Sequence, residues 1–148
     1  MPYRMHRIFC ATSLDAEEER LAFYDILAEF NEQEAMPRSV LFVPVSLIPA
    51  MSDKRLYQRA VEENIFDSRY YVLVWDGSWG PPQRNLERDW QVALECAADP
   101  QSSVLEAVML SKGSDFGTSN EFRTALWSRL QNWLTALESP EAQQLLNR

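Results

Sequence analysis

Chemistry-bearing residues are concentrated in one stretch of this chain. Residues 70–80, YYVLVWDGSWG, form a continuous apolar run that ends in Asp76 and passes into Gly77, Ser78, Trp79 and Gly80. A strand buried on both faces delivers a polar group to its carboxyl end in this way, and in open α/β sheets ligands bind in the crevice beyond that end. Seven and nine residues beyond Gly80, Glu87 and Asp89 stand near the start of a helix. From there a carboxylate can turn towards the crevice or remain an ordinary solvated acid at the positive end of the helix dipole. Ser13, at the end of an earlier strand, and Arg84, in the loop before the helix, complete the polar inventory.

Other chemistries lack material. His6 is the only histidine and falls near what reads as a flexible start, so Ser-His-Asp and Cys-His catalysis and His-rich metal sites are not expected. Cys10 and Cys96 lie far apart, without a C-x-x-C motif, and read as buried, reduced thiols. A net charge of −8, with Arg and Lys scattered among carboxylates, argues against nucleic acid as a partner. No apolar stretch has the length of a membrane span or the form of a signal peptide, so the expected location is cytoplasmic, with no membrane partner.

The elements that must position these residues alternate. Arg7–Thr12 reads as a strand; Asp15 caps a helix in which Phe23, Ile26, Leu27 and Phe30 recur at i, i+3, i+4, i+7, and Pro37 closes it. The acidic run Glu17–Glu19 suits that helix's first turn. Val40–Ser46 is a second strand, and Pro44, which cannot donate to a ladder, sends it to a sheet edge. Ser52 is the expected cap of a second helix carrying Tyr57, Ala60, Val61 and Asn64 and ending near Phe66. After the Tyr70 strand and a loop stiffened by Pro81 and Pro82, Leu86, Trp90, Ala93, Leu94 and Ala97 make one apolar helical face. An ideal wheel sets Glu87 and Asp89 roughly 80° to either side of it. Val104–Leu110 is a fourth strand, interrupted by Glu106; Thr118 with Glu121 caps a last helix striped by Phe122, Leu126, Leu130, Trp133 and Leu137.

The order β-α-β-α-β-α-β-α implies one α/β domain over residues 1–148, with a core at about 7–137 and a polar tail over 138–148. The fold class expected is a three-layer flavodoxin-like sandwich with a parallel sheet of order 2-1-3-4. The first and third strands then meet at the switch point, bringing Thr12 and Ser13 beside Asp76, Gly77 and Ser78.

Taken together, FCATSLDAEEERLAF, LFVPVSLIPAM, AVEENIFDSRYYVLVWDGSWG and LERDWQVAL resemble the TIR-like domain of unknown function found near the N-terminus of bacterial and animal NACHT or tetratricopeptide-repeat signalling proteins. The resemblance covers about Arg7 to Leu94, through Thr12 and Ser13, Glu19 and Arg20, Phe42–Val45, Ser68–Tyr71 and Glu87–Leu94. It implies a signalling or protein-interaction module, a homo-oligomer or one with a separately encoded signalling partner, and no resident cofactor. The wider superfamily includes NAD-cleaving TIR domains and nucleoside 2-deoxyribosyltransferases, which use a glutamate four residues before an alanine in the helix after the third strand. Counting back from Ala93 places Asp89 there, one methylene shorter, with Glu87 as the replacement. The alternative reading is therefore an N-glycosidase or deoxyribosyltransferase-like enzyme acting on NAD or a nucleoside. In it Asp89 or Glu87 attacks or stabilises the sugar centre, Asp76 or Ser13 orients hydroxyls, Trp79 stacks on a base and Arg84 meets a phosphate. A flavodoxin-like electron carrier fits less well, because carboxylates follow the first strand where a phosphate needs donors.

Overall fold

The computed structural model describes residues 2–12, 17–47, 54–80 and 85–138. The expected caps Asp15 and Ser52, the prolines Pro81 and Pro82, and nearly all of the tail lie outside them. The elements are β1 (Arg4–Thr12), α1 (Glu17–Phe30), β2 (Val40–Val45), α2 (Lys54–Phe66), β3 (Tyr70–Trp75), α3 (Leu86–Ala98), β4 (Glu106–Ser111) and α4 (Ser119–Leu137). The four strands form one all-parallel sheet in the order β2-β1-β3-β4, the expected flavodoxin-like arrangement.

Strand alternation divides the core. Ile8, Cys10, Phe42, Tyr70, Val72 and Val74 face α1 and α4, meeting Phe23, Leu27, Phe30, Leu126 and Leu130. Phe9, Ala11, Tyr71 and Leu73 face the opposite layer, meeting Tyr57, Val61 and Ile65 of α2 and Leu86, Val92 and Ala93 of α3. Every apolar position read from the sequence for α1 and α4 is buried. The expected Thr118 cap of α4 forms, with the Glu121 backbone N–H donating to Thr118 Oγ1 at 3.2 Å; the Glu121 carboxylate accepts from that hydroxyl at 3.1 Å rather than from the Thr118 backbone N–H of a full capping box.

Both sheet edges are partly closed. Phe42 of β2 turns its backbone outward, and Asn31 takes the place of a neighbouring strand: its Oδ1 accepts from Phe42 N–H and its Nδ2 donates to Phe42 C=O, each at 2.8 Å. Two residues on, Pro44 has no outward N–H to satisfy, so the proline marks an edge as expected. At the other edge, Ser111 C=O accepts from Asp115 N–H at 2.8 Å and Ser111 N–H donates to Asp115 Oδ2 at 2.7 Å.

Several expectations are corrected. Pro37 does not close α1: the chain continues through a π turn, Asn31–Ala35, and a 3-10 turn, Met36–Arg38, in which Pro37 occupies an early position that needs no N–H. The stop comes at Ser39, with φ 61°. β1 begins three residues before Arg7, so His6 lies within a strand, 4% exposed. β4 begins at Glu106 rather than Val104; Glu106 is part of the strand and accepts from Trp133 Nε1 at 3.2 Å. Cys10 is buried, but Cys96 is only half-buried; both are free thiols. Among the described residues no helix is long and apolar enough to cross a membrane.

Candidate functional site

The parallel ladder carries β1 and β3 to a common carboxyl end, with Thr12 in register with Val74. Thr12 is buried there, and Asp76 follows Trp75 at the end of β3, half-buried. The loop folds back through Asx and Ser turns: Ser78 N–H donates to Asp76 Oδ1 at 3.3 Å, and Gly80 N–H donates to Ser78 Oγ at 3.3 Å. Gly77 at φ 105° and Gly80 at φ 74° supply the left-handed backbone these turns need. The sheet therefore gathers Thr12, Asp76, Gly77 and Ser78 at the switch point. Ser13 and Arg84 lie outside the described residues.

Trp79 packs against the α2/α3 core, its ring 6.0 Å from that of Trp75 and tilted by 52°. The Trp75 Nε1–H is buried and has no hydrogen-bond partner among the described residues.

Asp89 and Glu87 part company. Asp89 is 1% exposed, sealed between α3 and α2, where its Oδ1 accepts from Gln58 Nε2 at 2.9 Å. Glu87 is exposed to solvent. The shoulder placement drawn from the wheel is thus corrected: the buried face of α3 runs through Leu86, Asp89, Val92 and Ala93. Trp90 and Ala97 are half-buried, and Leu94 is 43% exposed. The physical reason is lateral. Next to α3 on one side lies α2, tied to it by Gln58–Asp89 and by the Arg88–Glu62 ion pair at 3.0 Å, while on the other side the sheet ends at β4.

A polar group that the residue types alone did not single out lies at the ends of β1 and β2. Arg20 reaches back from α1 to donate to Ser46 Oγ at 3.4 Å while also clamping Glu17, and Tyr24 Oη shares a 2.7 Å hydrogen bond with Ser46 Oγ. Arg20 and Tyr24 stand at i and i+4, the spacing that places two side chains on one helix face, and this was the available signal. The Glu17 carboxylate is held below its ordinary range, first by its hydrogen bonds to Arg20. Cys10, on the same sheet face as α1, is pushed up to about 12 by burial, so it is no nucleophile at neutral pH. Across α1, Glu19 pairs with Lys112 at 3.5 Å beside a cavity of about 250 Å³ lined by Glu18, Ala22, Thr118, Ser119 and Phe122.

No group of three or more His, Cys, Asp or Glu side chains able to hold a metal ion occurs among the described residues. Neither a protein-family model nor a curated protein nor a solved structure matches the chain.

Proposed function

We propose that this chain is a non-catalytic TIR-like interaction module with a signalling role, acting through binding to other protein molecules. The observation that carries the reading is the state of Asp89. At the position where the resemblance would put a sugar-attacking carboxylate, the side chain is 1% exposed and engaged by Gln58 at 2.9 Å. Attack on a glycosidic carbon requires a carboxylate oxygen within about 3–3.5 Å of it. Asp89 reaches no such approach without parting α2 from α3. Glu87, the replacement, is exposed to solvent rather than held in the core.

The alternative is N-glycoside cleavage of NAD or a nucleoside. It draws support from the same carboxylate: a buried acid in the first turn of the helix after β3 is also how glycosidic sites hold a general acid. One assay separates the two. The purified protein is incubated with NAD and with a panel of nucleosides, and free base is followed by chromatography beside Asp89→Asn and Glu87→Gln variants. The expected result is no release above the protein-free blank. Release that disappears in either variant establishes the enzyme and overturns the module.

A further inference from the structure

On the β4 edge the described residues satisfy only one of the outward positions. Lys112 N–H donates to Trp75 C=O at 2.8 Å, which fixes the alternation along β4: Val108 and Leu110 turn their backbone groups to β3, and Ala107, Met109 and Ser111 turn theirs outward. Ser111 is satisfied by Asp115. For the outward groups of Ala107 and Met109, no hydrogen bond is found among the described residues. β2, by contrast, has the Asn31 clamp and Pro44 at its outward positions. An edge strand without charge, bulge or proline at its open positions is a template for another strand.

The side of α3 remote from α2 adds apolar surface above this edge. Trp90 and Ala97 are half-buried and Leu94 is exposed there, one helix away from Ala107 and Met109, which are themselves only partly covered. The α3 face that the sequence marks as its apolar stripe is therefore only half used within the chain.

We infer that β4 is a self-association surface whose occupant is a second copy of this chain, paired antiparallel through Ala107 and Met109 about a two-fold axis at Val108. This deepens the interaction-module reading and rests on it. Three observations select a second copy over a foreign strand. The open edge is self-complementary: under that axis Ala107 of one copy lies opposite Met109 of the other, and each pair exchanges both backbone hydrogen bonds, as an antiparallel hydrogen-bonded pair does. The same axis brings Trp90 and Leu94 of the two α3 helices towards each other on one face of a continuous eight-stranded sheet, each half-used stripe covering the other. It also sets Glu106 of one copy diagonally across from Lys112 of the other at both ends, opposite charges on the same face of the joined sheet.

The test is sedimentation equilibrium of the whole chain over a wide concentration range, with amide hydrogen exchange at the same concentrations and with Leu94→Glu as the variant. Leu94 is already 43% exposed, so the variant leaves the monomer fold intact, which circular dichroism checks. The inference expects a dimer whose Ala107 and Met109 amides exchange more slowly as concentration rises, and a dissociation constant raised roughly tenfold or more by Leu94→Glu. A wild-type protein that stays monomeric throughout overturns it. So does a dimer in which those two amides exchange freely. Either failure, with no base release in the glycosidase assay, leaves an interaction module that binds a foreign partner; base release lost in Asp89→Asn removes the module reading itself.

Discussion

Two buried polar side chains carry the residue-scale argument. Asp89 is held by Gln58 inside the α2–α3 contact, and removing one partner of a buried hydrogen bond costs about 1–3 kcal/mol. Asp89→Ala is therefore expected to lower stability by about 2 kcal/mol in urea denaturation, and Asp89→Asn, which keeps an acceptor for Gln58, by less. A gain in stability from Asp89→Ala would identify a group retained against stability, as catalytic groups are, and would favour the glycosidase. His6 makes the opposite kind of prediction. Burial, with smaller contributions from Arg69 and Arg4, lowers its pKa to about 4, and neither ring nitrogen has a hydrogen-bond partner among the described residues. Above pH 6.5 both folded and unfolded chains hold it neutral. As pH falls from 6.5 towards 4 the unfolded chain takes up the proton first, so stability is lost across that window, by about 3 kcal/mol at its foot. His6→Phe should remove that part of the acid limb without loss of stability at pH 7, measured as urea midpoints at both pH values. The sequence disclosed that His6 was the sole histidine; its burial depended on β1 starting at Arg4. That start was hidden because Arg4 and Met5 are exposed and break the apolar run.

At the scale of elements, the helices with a single neighbouring surface were legible and the helix with two was not. α1 and α4 each present one apolar stripe to the sheet and to each other, so periodicity alone identified their buried residues. α3 divides its circumference between the sheet, α2 and an open side, and periodicity cannot weigh these; Asp89 went in and Leu94 stayed out. The edge position of β2 was readable from Pro44. The Asn31 clamp was not, since the residue sits in a π turn beyond the expected helix end and its two bonds join positions 11 apart. Asn31→Ala leaves the outward N–H and C=O of Phe42 unsatisfied in a buried setting. A loss of about 1–3 kcal/mol is expected, read from urea unfolding together with faster exchange of the Phe42 amide. Unchanged exchange at Phe42 would show that solvent already reaches that edge and that Asn31 does not close it. The candidate site was legible to the extent that topology determines it: the order 2-1-3-4 brought Thr12 and Asp76 together. Of the Arg20–Tyr24–Ser46 group the i, i+4 spacing offers only the shared helix face of Arg20 and Tyr24; that this face meets Ser46 at the end of β2 is a long-range contact that spacing does not encode.

For the whole molecule, charge and apolar surface oppose one another. Each chain carries −8, so two copies repel over the range set by ionic strength, a Debye length of about 10 Å at 0.1 M salt. The proposed contact gains its free energy from sources that salt screens little: backbone hydrogen bonds at Ala107 and Met109, and the Trp90–Leu94 surface of α3. The Glu106–Lys112 pairs at its ends are exposed enough to contribute little, as surface ion pairs do. Raising salt should therefore tighten the dimer, with the steepest change at low ionic strength where the long-range repulsion is least screened. Sedimentation equilibrium from low to moderate sodium chloride measures this directly. A dimer that loosens as salt rises would mean that opposite charges dominate the contact, which places it on a surface other than the apolar β4–α3 side. Charge reversal adds an independent arm: Glu95→Lys, on the outer, solvent-facing side of α3 from Leu94, changes the net charge by +2 per chain while leaving the proposed contact residues untouched. It should tighten association at low salt and have progressively less effect as salt rises, because what it relieves is the repulsion that salt already screens.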